Sequence, residues 1–219
     1  MKNTWGRPQL FRVGVVDVVP KSITHRILKP ALNTSDIRMI CKEASLDMLL
    51  AELTVHHLDL VLADRSIPHT VSTRGYSHKL GESSISFFAT NSLQKQFKGC
   101  FPNCLNGAPI LLPSSGPPLR LDLDQWLDKH RIHPQIITEF DDSALMKAFG
   151  QEGDGIFIAP EGIQTEVERQ YNVIAIGETN EIKEQFYAIS TERHVTHPII
   201  SAVVEVAHAS LFSKGKTTN

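Results

Sequence analysis

Apolar positions along this chain fall into two kinds of pattern, short continuous runs and helically spaced sets, and the two alternate. Leu10 to Val16 is a nearly continuous apolar run with Val13, Val15 and Val16. Such a run fits a strand buried on both faces, as in a parallel sheet. Asp17 to Ser22 turns at Pro20, and a helix over Lys21 to Lys29 carries Ile23, Ile27 and Leu28, with Pro30 placed to end it. Ile37 to Lys42 reads as a second strand. Ser45 then stands as an N-cap whose hydroxyl would accept from first-turn amides. Leu46, Leu49, Leu50 and Leu53 follow at i, i+3, i+4 and i+7, one face of a helix. Leu58 to Ala63 is a third buried strand, so the first third reads β-α-β-α-β. Units of this kind give parallel strands with right-handed crossovers.

The pattern then changes. Asp64 to Tyr76 is a polar connector with Pro68 and Gly75, Ser83 to Ala89 reads as a strand, and Asn91 to Phe97 as a short helix. A second α/β set follows. Ala108 to Leu112 is a strand and Pro113 to Pro118 a loop. A helix carries Leu123, Trp126, Leu127 and His130, with Asp122 as expected N-cap and Gln125 three residues on. Gln135 to Phe140 is a strand. Asp141, Asp142 and Ser143 cap a helix carrying Leu145, Met146 and Phe149 and stopped by Gly150. Gly155 to Ala159 is a buried strand, and Pro160 leads into a helix ending near Gln170. Val173 to Ile176 and Gln185 to Ile189 read as two later strands. A last helix begins near Pro198, with Ile200, Val203, Val204, Ala207 and Leu211 on one face.

Two α/β halves in one chain of 219 residues suit two lobes of about 100 residues each. Ligands of open parallel sheets bind beyond the carboxyl ends of the strands. That rule selects Asp17 to Ser22, Glu43 to Ser45, Asp64 with Arg65, Pro113 to Gly116, Asp141 with Asp142, and Pro160 with Glu161. Helix N-termini at these corners offer free amides to an anion, and Ser22, Ser45, Ser114 and Ser115 add hydroxyls. The acids at the same corners repel anions unless Lys21 or Arg65 pairs with them. Carboxylates with hydroxyls and carbonyls suit a hard cation instead. Each serine also has a simpler reading as a cap, and each acid as a solvated one.

Composition narrows the choice. Hydrophobic residues make up 41% and charged residues 21%, with a net charge of −2, so a core forms without staples and nothing marks a polyanion binder. The three cysteines, Cys41, Cys100 and Cys104, are an odd, low count that suggests a reducing compartment. Cys100 and Cys104 are a possible metal pair, but no second pair at finger-like spacing accompanies them. The pair His56-His57 sits near the end of a helix, where the dipole and the carbonyls favour histidine, and this reading stands ahead of a metal role. No apolar run spans a membrane and no signal peptide opens the chain, so a cytoplasmic protein is expected. Motifs of serine hydrolases, phosphate loops, dinucleotide folds and zinc proteases are all missing, so no enzyme is expected.

Several strings resemble the effector-binding domain of LysR-type transcription regulators. They are Phe11-Arg12-Val13-Gly14-Val15 followed by Pro20, Leu50-Ala51-Glu52-Leu53 through Leu58 to Asp64, and Ala144 to Gly150 through Gly155-Ile156-Phe157-Ile158-Ala159-Pro160. Within the family, Gly14 to Lys21 and Glu139 to Leu145 look like activators of sodium/proton antiporter genes. The resemblance covers residues 10–212. It implies a periplasmic-binding-protein-like α/β fold (type 2), two doubly wound lobes joined by two crossover connections. Lobe I would take residues 10–85 and 186–212, and lobe II 86–185. Residues 1–9 would be a linker remnant and 213–219 a flexible tail. A DNA-binding helix-turn-helix domain belongs to the family and is not in this chain, so DNA would be a partner only through it.

The resemblance places effector contacts at Asp17, Val18, Pro20, Lys21, Ser22, Ser45, Asp64, Arg65, Ser114, Ser115, Phe157 and Pro160. A response to sodium or pH would give Asp17 and Asp64 a role as oxygen ligands of a sodium ion, with no other cofactor. Pairing into homodimers or tetramers would use the edge strand Ile37 to Lys42, the helix Lys21 to Lys29 and a helix of the other lobe. The alternative reading is a solute-binding protein of a transport system.

Overall fold

The computed structural model describes residues 8–33, 37–68, 75–97, 99–192 and 198–207. In chain order they form β1 (Gln9–Val16), α1 (Lys21–Leu32), β2 (Ile37–Ala44), α2 (Leu46–Thr54), β3 (Leu60–Ala63), β4 (Tyr76–Ala89) and α3 (Asn91–Gln94). Then come β5 (Pro109–Pro113), α4 (Pro118–His130), β6 (Gln135–Phe140), α5 (Ser143–Glu152), β7 (Phe157–Pro160), α6 (Gln164–Tyr171), β8 (Ile174–Ser190) and α7 (Pro198–Val206). Residues 1–7 of the linker expected at 1–9, Leu211 and the tail at 213–219 lie outside the described residues, as does 69–74 of the polar connector, while Gln9 already belongs to β1. Two compact units emerge, Met1–Gly81 with Gln185–Asn219, and Glu82–Glu184. The chain passes from one to the other twice, inside β4 and inside β8.

In the first unit the strand order is β2-β1-β3-β8. β1 runs parallel to β2 and to β3, and β8 closes antiparallel on β3. β1 is central, which is why Phe11, Val13, Val15 and Val16 are all buried. The helical face read from spacing is the buried face of α2: Leu46, Leu49, Leu50 and Leu53 are each at most 2% exposed. A side chain of this type contributes about 1.5–3 kcal/mol when fully buried. α1 packs on α7, and it does not stop at Pro30. It continues to Leu32, with Pro30 inside its last turn. A proline there removes one ladder hydrogen bond near a helix end, and burial of Ala31 offsets that loss. α2 ends where His56 takes a left-handed backbone (φ 60°) and His57 donates its amide to Glu52 O at 2.9 Å.

In the second unit β5 and β6 pair in parallel. Ile156 extends that sheet in the parallel sense, exchanging bonds with Pro109 and Leu111 at 2.8 Å each. β7 then pairs antiparallel with β4. The core gathers Phe87, Leu105, Ile110, Leu112, Leu123, Trp126 and Ile158.

Four expectations change here. α4 begins at Pro118 behind the N-cap Pro117, so Asp122 lies inside the helix rather than capping it; proline is pre-set for that first position. α5 runs through Gly150 to Glu152 and ends at Gly153, whose φ of 86° suits the left-handed cap. On α5, Met146 and Lys147 are buried, while Leu145 and Phe149 are 50% and 40% exposed. Val173 to Ile176 and Gln185 to Ile189 belong, apart from Val173, to one strand of 17 residues, β8.

Candidate effector site

The register of the first sheet sets three corners side by side. Val16 of β1 pairs with Ala44 of β2, and Val15 with Leu62 of β3. The residues that follow these strands, Asp17 to Ser22, Ser45, and Asp64 with Arg65, therefore line one sheet edge. The first corner turns tightly, with Val19 N donating to Val16 O at 2.9 Å. Asp17, Val18 and Ser22 are half-buried and Pro20 is buried. Pro20 caps α1 by backbone alone; no side chain caps the helix and no acid sits in its first turn. Lys21 is not free to meet a ligand: its Nζ lies 2.7 Å from Glu43 Oε2 of β2. That pair is well exposed on both sides, so it orients the corner more than it stabilises it.

Ser45 is an N-cap by position, but its hydroxyl makes no cap hydrogen bond. The expectation that it accepts from first-turn amides is thereby corrected. The backbone carbonyl accepts from Leu49 N at 3.1 Å, the first regular bond of the helix, and the exposed hydroxyl is left for other partners.

Asp64 is the outlying group at this edge. It is 8% exposed. Its Oδ1 has no hydrogen-bond partner, and its Oδ2 lies 3.7 Å from Arg65 Nη1. Burial pushes its carboxyl above the usual carboxylate range, against the opposing effects of the Arg65 guanidinium and a backbone hydrogen bond. Asp17 and Asp64 each follow the end of one of two adjacent parallel strands. Among the described residues no group of three or more His, Cys, Asp and Glu side chains is gathered for a metal ion. A cation at this edge would therefore draw on carboxylate together with hydroxyl and carbonyl oxygens, not on a carboxylate cage.

The second unit repeats the arrangement. Ser114 and Ser115 follow β5, Asp141 and Asp142 follow β6, and Pro160 ends β7. Ser114 N donates to Phe140 O at 2.8 Å, which ties the corner after β5 to the end of β6. Neither serine caps α4, whose N-cap makes no side-chain bond. Asp142 is spent on its own helix, its Oδ1 accepting from Ala144 N at 2.7 Å. Phe157 is wholly buried, stacked on Phe88 with centroids 5.4 Å apart, so its side chain belongs to the core. Pro160 is buried and precedes the 3-10 turn Glu161–Ile163, where Gly162 N donates to Ser83 Oγ at 3.1 Å.

Arg120 was not picked out from the sequence. It is 9% exposed and donates from Nη1 to Pro113 O at 2.7 Å and from Nε to both Asp124 oxygens at 3.0 Å. Its Nη2 lies 2.8 Å from Glu139 Oε1 of β6. Burial alone would lower its pKa, and the hydrogen bonds from Glu139 and Asp124 more than reverse that. Arg120 thus clamps the end of β5, just before Ser114, to α4 and β6. The i, i+4 spacing with Asp124 was the one visible signal, and it marks ordinary surface pairs equally well.

The LysR substrate binding domain matches residues 6–211 of the chain. The chain is 33% identical over 205 residues to the transcriptional activator protein NhaR of Escherichia coli, covering 93% of this chain and 67% of that protein. Among solved structures, the apo regulatory domain of HypT from Salmonella typhimurium aligns with a TM-score of 0.68 at 15% identity, over 90% of this chain and 93% of that one. The effector binding domain of QuiR in complex with shikimate aligns with a TM-score of 0.65 at 15% identity, over 93% and 97%. These neighbours share the α/β, periplasmic-binding-protein-like (type 2) fold. The chain belongs to the LysR family of transcription regulators, as an effector-binding domain.

Proposed function

We propose that this domain senses a monovalent cation, sodium, in competition with protons at Asp64, and that it does so for a transcriptional activator whose DNA contacts are made by a separate domain. The observation that carries the reading is the buried carboxylate oxygen of Asp64 without a partner at the end of a parallel strand. A buried carboxylate with one oxygen left without a partner either takes a proton or recruits a cation. One group can then answer both sodium and pH: acid fills the position with a proton, and alkaline conditions free it for the ion. Asp17, on the neighbouring corner, and the uncommitted hydroxyl of Ser45 would be further oxygen sources along that sheet edge. Similarity to NhaR, a transcriptional activator, supports the regulatory role. The exposed edge strand β2, with Ile40 43% exposed, supports pairing of two such domains. The protein would act in the cytoplasm.

A second reading has its own observation. The uncapped N-terminus of α1, with no acid in its first turn, suits a small anion. One titration separates the two. Thermal unfolding is followed against sodium chloride, choline chloride and sodium gluconate at constant ionic strength. Sodium sensing requires stabilisation by both sodium salts and none by choline chloride, and a ligand at 100 times its Kd adds about 2.7 kcal/mol. Stabilisation that follows chloride instead selects the anion reading.

A further inference from the structure

Cys100 and Cys104 bracket Phe101-Pro102-Asn103, Cys104 packs against the core of the second unit, and the effector corners use neither thiol. Both are free; Cys100 is exposed and Cys104 half-buried. Cys104 N donates to Cys100 O at 3.2 Å, so one tight turn brings the two residues together. A disulfide needs Cβ atoms about 3.5–4.5 Å apart, a separation that residues flanking so tight a turn reach by a local movement. Cys104 also lines a cavity of about 60 Å³ with Gln94, Phe97, Phe101 and Ile156, so its side chain is not locked by packing on every side. Among the described residues no third His, Cys, Asp or Glu completes a metal site with the pair.

Phe101, inside the bracket, is wedged into the core. A Cβ on Gly177 would lie 2.2 Å from its Cγ, so only glycine leaves the ring its place. The ring sits 5.2 Å from that of Phe87 and 5.9 Å from that of Trp126. Any tightening of the turn therefore pulls on the aromatic cluster.

We propose that Cys100 and Cys104 form a reversible disulfide that couples the thiol–disulfide poise of the surroundings to the aromatic core of the second unit. The oxidant is a low-molecular-weight disulfide. The exposed Cys100 thiolate attacks one sulfur of it, forming a mixed disulfide and expelling the other half as a thiolate that takes a proton from water. Burial, with a further push from Cys100 and against a backbone hydrogen bond, holds the Cys104 thiol above its ordinary pKa, so Cys104 is the slower, resolving group. It gives its proton to solvent and attacks Cys100 Sγ, and the second half of the oxidant leaves as a thiol. Two protein thiols are oxidised by two electrons, and one disulfide is reduced to two thiols. The exposure of Cys100 leaves the bond open to a reducing thiol.

The test uses the whole chain with Cys41→Ser, to remove the third thiol, and Trp5→Phe, to leave Trp126 as the emitter. Glutathione disulfide is added at a series of ratios to glutathione. The expected result is a peptide linked through Cys100 and Cys104 within one molecule, together with a change in Trp126 emission that dithiothreitol reverses. Adding Cys100→Ser should abolish both. A stable glutathione adduct on Cys100 beside a free Cys104, cross-linking between molecules, or an intramolecular disulfide that leaves Trp126 emission unmoved would each overturn the proposal.

Discussion

Gly150→Ala sets two effects of opposite sign against each other. Inside a helix, alanine is favoured over glycine by about 1 kcal/mol, so propensity alone makes the variant more stable. Packing says otherwise. A Cβ at position 150 would lie 2.1 Å from Cδ1 and 2.4 Å from Cε1 of Phe157. That ring is fully buried and stacked on Phe88, so it cannot swing away into solvent. Overpacking of this kind costs about 1–3 kcal/mol, and a contact this short belongs at the upper end. The net expectation is a loss of about 2 kcal/mol, or roughly 4–8 °C in melting temperature for a chain of this size. Urea unfolding monitored by circular dichroism measures it, with the midpoint shifting and the slope unchanged. The cause is checked by repeating Gly150→Ala in a Phe157→Leu background, where the smaller side chain leaves space and the penalty should shrink or reverse. A variant as stable as the parent, or an equal penalty in both backgrounds, refutes the packing argument.

Asp64→Asn tests the buried carboxyl through pH. Its pKa is raised on folding, so its stabilising contribution is complete below the ordinary carboxylate range and is lost as pH rises through the elevated value. In choline salts the variant should therefore gain on the parent as pH rises across that window, and a constant difference in unfolding free energy would contradict this. Arg120→Met strips Pro113 O of its charged donor, and a buried carbonyl left bare costs about 1–3 kcal/mol. Urea unfolding should show the loss, and hydrogen exchange should rise at Ser114, whose amide bond to Phe140 the clamp protects. Asp142→Ala removes the one side-chain cap of α5 and should cost about 1 kcal/mol by the same assay.

How much of this was legible in the sequence depended on how local the deciding interaction is. The β-α-β-α-β start was readable because burial on both faces writes itself into Val13 to Val16 and Leu60 to Ala63, and a single buried stripe into Leu46 to Leu53. Pro30 and Gly150 misled for the same physical reason. Each breaks a local rule, and each sits where packing decides: Ala31 buried in the first unit, the Phe157 ring in the second. β8 looked like two strands because Gly177, Glu178 and Asn180 interrupt its apolar pattern. Gly177 is instead the place where the ring of Phe101 enters. At the site, strand ends were found by rule, and they carry the corners described above. What spacing could not tell was which acid is spent and which is unpaired. Asp142 caps its own helix and Glu43 holds Lys21, while Asp64 is enclosed by its surroundings with one oxygen unsatisfied.

The most direct measurement is the titration of the Asp64 side-chain carboxyl by carbon-13 NMR, in choline chloride and again in sodium chloride at equal ionic strength. Sensing of sodium against protons at this group requires a midpoint above the ordinary carboxylate range in choline and a lower midpoint in sodium, with Asp64→Asn lacking the resonance. A midpoint that is the same in both salts would contradict the central claim.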